Sequence, residues 1–292
     1  MLFKKVSPVI ILARPHHWIK NLFVFLPLFF ALKLTNTDLL IQTGISFIAF
    51  SLAASAIYII NDLRDIDYDK QHPLKKDRPL ASGEVKRSTA VILSITLIII
   101  SFLLSYTVNT QLLLVVIAYF ALNIAYSFKL KNIAILDLLC ISFGFILRLM
   151  AGSAATDIAL SKWILLMTFL LSLFLALGKR RDDLFYYMNS GEKYRASIDG
   201  YTLEFVNIAM TIIASVTIVA YTMYTISDEI IQQLGDEKLF ITVIWVIVGI
   251  LRYFQLVFVK NQGGSPTKIL YKDRFLQIVM TLWILTFVVL IY

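Results

Sequence analysis

The chain has 292 residues, 59% of them hydrophobic and only 16% charged, with a net charge of +8. A soluble domain averages about 45–50% apolar even with glycine counted, so composition excludes a soluble globular enzyme and predicts an all-α polytopic membrane protein. In such a chain the positive balance reflects topology rather than nucleic acid, and the single cysteine, Cys140, excludes a disulfide framework or a cysteine zinc site.

Nothing at the N-terminus reads as a cleaved signal peptide. Residues 1–18 are read as an interfacial segment, because Arg14-Pro15-His16-His17-Trp18 combines a helix break, charge and an indole. Nine transmembrane helices are predicted at about 19–34, 39–60, 87–108, 111–128, 133–154, 161–178, 203–226, 238–259 and 273–291. The N-terminal tail and the even-numbered links, with adjoining helix ends, hold 23 of the 27 Lys and Arg. That bias places the N-terminus in the cytoplasm and the C-terminus outside. The expected organisation is a single membrane-embedded domain over 1–292 in the plasma membrane, with cytoplasmic active-site loops at 61–86 and 179–202. The second and sixth spans both end in acids and bases, which leaves a weak two-half organisation open.

The densest charge follows the second span: 6 of the 19 acids and 7 of the 27 bases lie in residues 61–87. On a continuing helix at about 100° per residue, Asn61, Asp62, Asp65 and Asp69 share an arc of roughly 100°, with Tyr58 inside it. Asp67 points elsewhere and is expected to be solvated or paired with a lysine. Three carboxylates on one face repel one another without a cation, and Mg²⁺ suits them as a hard ion that keeps waters and bridges to phosphates. The competing reading is a solvated helix of mixed charge. The next stretch, Lys75-Lys76-Asp77-Arg78-Pro79-Leu80-Ala81-Ser82-Gly83, supplies the opposite charge. Arg78, set before a proline, is read as a phosphate ligand, and Lys75 and Lys76 as topological charge. These residues point to a site for a divalent metal and a diphosphate.

The pattern Asn61-Asp62-x-x-Asp65-x-x-x-Asp69, followed by Arg78-Pro79-Leu80-Ala81-Ser82-Gly83, resembles the first aspartate-rich motif of the UbiA superfamily of intramembrane prenyltransferases. Further short motifs resemble one branch of it, the decaprenyl-phosphate phosphoribosyltransferases. These are Arg14-Pro15-x-x-Trp18-x-Lys20-Asn21, Tyr126-Ser127-x-x-Leu130-Lys131, Gly144-Phe145-x-x-Arg148-x-x-Ala151-Gly152, Gly178-Lys179-Arg180 and Lys272-Asp273-Arg274, in that order. The resemblance implies a nine-helix bundle that transfers phosphoribose from phosphoribosyl diphosphate to a polyprenyl phosphate, with Mg²⁺ as cofactor and diphosphate as leaving group. It implies Asp62, Asp65 and Asp69 as catalytic residues and, with Asn61, as metal ligands. The second motif of aromatic-acceptor relatives is another aspartate-rich run. Here it reads Gly178-Lys179-Arg180-Arg181-Asp182-Asp183-Leu184, which suits additional phosphates; a basic topological anchor is the competing reading.

Tyr58, Arg78, Tyr126, Lys131, Asp137, Lys179, Arg180 and Asp183 are accordingly assigned to phosphoribosyl diphosphate. Lys20, Asn21 and Arg148 are assigned to the lipid phosphate. Snorkelling competes as an account of Lys20, an aromatic belt as an account of Tyr126, and a structural role as an account of Arg148. Asp137 and Arg148 lie on one face of the fifth span, separated by a rise of about 16 Å, and intramembrane charges normally face the bundle interior. Prenyl transfer from a prenyl diphosphate to an aromatic or quinone precursor is the alternative reaction. A transporter or lipid-binding membrane protein is the non-enzymatic reading, although the spans lack paired broken helices.

Overall fold

A computed structural model describes residues 7–71, 75–191, 196–234, 237–262 and 266–291. Residues 72–74 and 192–195, within the two expected loops, lie outside the described residues. Among the described residues all regular structure is helical. Seven helices are long and apolar enough to cross a membrane: α1 (Thr37–Arg64), α2 (Arg87–Val108), α3 (Thr110–Phe128), α4 (Leu136–Thr156), α5 (Lys162–Ser190), α6 (Leu203–Thr225) and α7 (Lys238–Val259). An eighth apolar helix, α8, covers Arg274–Ile291.

Where the sequence predicts a first spanning α-helix, Pro15–Phe25 forms a 3-10 helix and only Leu26–Phe30 is α-helical. Pro27, well inside this segment, lacks the amide hydrogen that a continuous α-helix needs there. The other difference is at α5, which runs through Lys179 to Ser190 and stops at Gly191, whose φ of 72° makes a left-handed cap. The expected loop from 179 therefore begins as helix. At 1.5 Å per residue the 29 residues of α5 reach about 44 Å, well beyond a hydrocarbon core of about 30 Å.

The chain forms two compact units, Met1–Ser127 with Leu147–Leu160, and Phe128–Ile146 with Ser161–Tyr292. In the first, α1 buries Ser46, Ala49, Ala53 and Ala56, and α2 buries Ala90, Ser94, Ser101 and Ser105. Each set recurs at helical spacing, so small side chains line one stripe and the backbones approach closely. Ser101 Oγ donates to the Ala49 carbonyl at 2.7 Å. Val24, Phe50, Ile57, Leu112, Val116 and Ala151 fill the adjoining core. A Cβ added at Gly152 would overlap the backbone carbonyl of Val24, which cannot swing away as a side-chain tip can. Gly152→Ala is therefore expected to cost at least about 1–3 kcal/mol, read as a lower Tm of the detergent-solubilised protein. An unchanged Tm would contradict this close approach.

In the second unit, α5 and α6 pack around Phe174, Leu177, Leu184, Val206 and Met210, closed by Tyr253, Leu256 and Val257. The end of α7 widens into a π-turn over Gln255–Val259. Arg252 Nη2 meets Asp273 Oδ2 at 2.7 Å, while Asp273 Oδ1 accepts from the Leu276 amide at 2.8 Å. Asp273 thus caps α8 and ties its start to α7, a structural account of the Lys272-Asp273-Arg274 motif.

Candidate active site

The acidic stretch does not continue as one helix. α1 ends at Arg64, Asp65 is its C-cap, and a six-residue helix, Ile66–Gln71, carries Asp69. The Asp69 amide still donates to the Asp65 carbonyl at 2.8 Å, so the four-residue step between these aspartates survives the break. Asp62 and Asp69 are both buried, whereas the Asp67 side chain is 95% exposed and lies 3.5 Å from Lys70. Arg78 joins the two buried carboxylates: its Nη1 is 3.0 Å from Asp62 Oδ1 and 2.7 Å from Asp69 Oδ2. Asn61 and Asp65 are half-buried beside them in the chain.

The turn that presents Arg78 is built by its own sequence. Leu80 and Val85 pack with Ile59 of α1, Leu12 and Ala90. The Ser82 amide bonds to the Arg78 carbonyl at 2.8 Å, and Gly83 takes a φ of 81°, which costs a glycine nothing. Lys75 Nζ lies 3.9 Å from Asp69 Oδ1 and over the Tyr68 ring, so this lysine belongs to the centre as well as to the basic surface.

Sequence reasoning missed Arg14. Its Nη2 contacts both Asp62 oxygens, at 2.6 and 2.7 Å, and its guanidinium sits 5.1 Å over the Tyr58 ring. Arg14 holds left-handed backbone at φ 52°, a conformation that a non-glycine residue enters at a cost. The flanking chain is fastened to α1: Ser55 Oγ donates to the Ala13 carbonyl at 2.7 Å and accepts from Trp18 Nε1 at 3.0 Å. The Arg14-Pro15-x-x-Trp18 spacing was the available signal. Further along, Asn21 Nδ2 donates to Ser51 Oγ, while its Oδ1 accepts from Arg148 Nε at 2.8 Å. Arg148 also donates to the Tyr119 hydroxyl at 3.2 Å and lies over the Phe50 and Tyr119 rings. Lys20 is half-buried in the same segment and feels the charges of Arg148 and Arg14. Tyr126 is half-buried near the end of α3.

The second unit holds its own charged centre. Asp137 and Arg180 are both 0% exposed, with Arg180 Nη2 3.0 Å from Asp137 Oδ2. Tyr201 donates to Asp137 Oδ1 at 2.6 Å and Ser197 to Oδ2 at 3.1 Å. Burial, and then the hydrogen bond into Asp137, hold the Tyr201 phenol above the usual tyrosine range, so it remains a donor. Arg180 Nη1 reaches Asp183 Oδ2 at 2.7 Å. Lys179 is half-buried on the same helix, and Lys131 half-buried in the 3-10 turn Leu130–Asn132. The expectation that Asp137 contacts ribose or a cation meets a carboxylate whose oxygens are taken by protein donors. Tyr201 and Ser197, which hold it, have no motif that marks them in the sequence.

Among the described residues no group of three His, Cys, Asp or Glu side chains converges on a point where they would hold an ion unaided. The donor set nevertheless fits Mg²⁺. Asp69 Oδ1 is buried and accepts no hydrogen bond, with Lys75 Nζ 3.9 Å away as a longer ion-pair partner, an expensive state for a carboxylate oxygen. Mg²⁺ commonly takes one or two carboxylates and completes its shell with waters and substrate phosphates, which is what Asp62 and Asp69 offer.

The UbiA prenyltransferase family model matches residues 21–188. The chain is 36% identical over 297 residues to a decaprenyl-phosphate phosphoribosyltransferase of Mycolicibacterium smegmatis, covering 98% of this chain and 93% of that one. It is 32% identical over 285 residues to the enzyme of the same name from Mycobacterium tuberculosis, covering 96% and 93%. Its fold is similar to that of a UbiA homologue from Archaeoglobus fulgidus bound to GPP and Mg²⁺, with a TM-score of 0.72, 19% identity and coverage of 98% and 99%.

Proposed function

This chain belongs to the UbiA prenyltransferase family, and from that premise we propose that it transfers 5-phosphoribose from phosphoribosyl diphosphate to a polyprenyl phosphate, releasing diphosphate. It is a membrane transferase. The observation that carries the finer reading is the 36% identity, over 98% of the chain, to a relative named for that reaction. The charge at Lys179 and Arg180 agrees with it, because a phosphorylated sugar brings a phosphate that a prenyl diphosphate lacks.

Asp62 and Asp69, with Asn61 and Asp65, hold Mg²⁺ in this reading. When bound, the ion stabilises charge on the departing diphosphate. Arg78 and Lys75 orient phosphate oxygens beside the carboxylates, and Tyr58 floors the centre beneath Arg14. In the second unit Lys179 serves as a phosphate-binding cation, with Lys131, while Arg180, enclosed and held by Asp137 and Asp183, adds its positive charge from behind. Tyr126 donates to phosphate. Lys20, Asn21 and Arg148 receive the lipid phosphate, one oxygen of which attacks C1 of the ribose. The C1–O bond to diphosphate breaks and its electron pair leaves with the diphosphate. A phosphate monoester loses its second proton near pH 6, so the nucleophile is already anionic at neutral pH and needs no strong general base.

The chain crosses the plasma membrane nine times in this reading, with both charged links cytoplasmic. The lengths support it. A 3-10 helix rises about 2.0 Å per residue, so the 11 residues of Pro15–Phe25 and the 5 of Leu26–Phe30 together extend about 30 Å, close to the thickness of a hydrocarbon core with the interfacial Pro15-to-Trp18 turn counted in. α8, with 18 residues, extends about 27 Å.

Purified protein incubated with Mg²⁺, labelled phosphoribosyl diphosphate and polyprenyl phosphate should move label into the lipid fraction. Activity only with a prenyl diphosphate and an aromatic acid would overturn the assignment. Chelation by EDTA should stop the transfer and added Mg²⁺ should restore it; transfer that continues in chelator sinks the metal reading.

A further inference from the structure

We propose that Arg14 is a displaceable counter-ion, which a diphosphate draws off Asp62, so that a divalent cation enters this centre only together with the diphosphate. The inference rests on the metal and diphosphate reading above. Two buried carboxylates face two guanidinium groups: Arg14 on Asp62, and Arg78 on Asp62 and Asp69. With Lys75 also 3.9 Å from Asp69, both carboxylates are already offset by protein cations. A cation arriving alone meets a neutralised site in which both oxygens of Asp62 already accept hydrogen bonds from Arg14, and it has little to gain there. A diphosphate brings its own negative charge and acceptor oxygens, to which a guanidinium binds at least as well as to a carboxylate. It can therefore take an arginine in exchange and leave Asp62 open to the cation.

Arg14 is the arginine that can leave. Arg78 bridges two aspartates, and withdrawing it would strip both, whereas Arg14 contacts Asp62 alone among the aspartates of the centre. Its backbone need not move. Ala13 and Trp18 are fastened to Ser55 on either side, so the side chain can swing about its own bonds while the segment stays docked. The Tyr58 ring beneath the guanidinium offers a face along which the cation can slide without losing its contact. Left-handed backbone at Arg14 aims the side chain back at α1 instead of along the 3-10 helix that follows.

Coupling of this kind is reciprocal: whatever diphosphate does to cation affinity, the cation does to diphosphate affinity. The test uses full-length protein in detergent, with Mn²⁺ binding read by EPR in the absence of diphosphate. Retention of labelled inorganic diphosphate is read by equilibrium dialysis, with and without Mn²⁺. Wild type should bind Mn²⁺ weakly alone and should retain diphosphate at least about tenfold better with Mn²⁺ than without. Arg14→Gln should bind Mn²⁺ alone about tenfold more tightly and retain Mn²⁺–diphosphate about tenfold less well, the size of one charge-assisted hydrogen bond. Arg14→Lys, which keeps the charge, should return both values toward wild type. Arg14→Gln equal to wild type with Mn²⁺ alone, while both retain diphosphate, overturns the exchange and leaves the functional reading standing. Wild type that retains no diphosphate with Mn²⁺ overturns both. Should the glutamine variant fail to fold, the wild-type comparison decides: diphosphate retention that ignores Mn²⁺ is incompatible with the exchange.

Discussion

Asp69→Asn is expected to lower kcat/KM about 10²–10³-fold, the usual effect of removing one preorganised electrostatic group, with the protein still folded. Asp67→Asn, two residues away, should stay within about twofold, since surface substitutions of this kind rarely matter. The two aspartates share a short helix and differ in everything else: Asp67 is solvated beside Lys70, and Asp69 is buried with one oxygen on Arg78 and the other without a hydrogen bond. Burying a charged carboxylate oxygen that accepts no hydrogen bond lowers stability, and an amide at this position removes that buried charge, at the loss of a 3.9 Å ion pair with Lys75. Arg78 keeps Asp62 and is partly exposed to water, which limits the cost of losing Asp69. The melting temperature should therefore hold or rise as activity falls. That opposition separates a functional aspartate from a structural one, for which both quantities would drop together. Near-normal turnover in Asp69→Asn would remove this centre from the reaction.

The division among the aspartates was legible in the sequence even though the expected helix breaks. Counting at 100° per residue separates Asp67 from Asp62 and Asp69, and the structure makes the same separation because the Asp65-to-Asp69 hydrogen bond preserves one helical step across the break. The apolar segments were legible for the plain reason that a bilayer demands length. Other features were hidden by pairing over long distances in the chain. Arg14 meets Asp62 across 48 residues from a left-handed backbone that no local residue preference announces. The run at Lys179 to Asp183 looks like the polar end of a span. It is the interior of a long helix because Arg181 is buried against Asn207, the Val257 carbonyl and Asn261. Those partners lie 26 to 80 residues away. A proline-rich first span was legible as apolar, but not as a 3-10 helix, whose register depends on Trp18 and Asn21 finding serines on α1.

Asp137→Asn is expected to destabilise the protein by about 3–5 kcal/mol, the cost of breaking a buried ion pair from one side. Against a total stability of about 5–15 kcal/mol, that is enough to lower the Tm by many degrees. Arg180 is wholly enclosed, and its Nε and Nη2 make no hydrogen bond, so the guanidinium depends on the charge of Asp137 at 3.0 Å and of Asp183. Asparagine keeps the shape and removes half of that compensation. Tyr201→Phe tests the other side of the same carboxylate. It leaves the ion pair and deletes the donor to Asp137, at an expected cost of about 1–3 kcal/mol. It also releases the Ile135 amide, which donates to the Tyr201 hydroxyl at 2.6 Å. Ile135 is a β-branched residue at φ 70°, a strained conformation that persists only while its surroundings impose it, so Tyr201 holds the turn that opens α4. Because the two substitutions share a contact, the double variant should lose less than the sum of the singles, by about 0.5–3 kcal/mol. Strict additivity would separate Tyr201 from Asp137. Wild-type melting of Asp137→Asn would mean that Arg180 does not need this carboxylate, and Asp137 would return to the list of groups held ready for substrate.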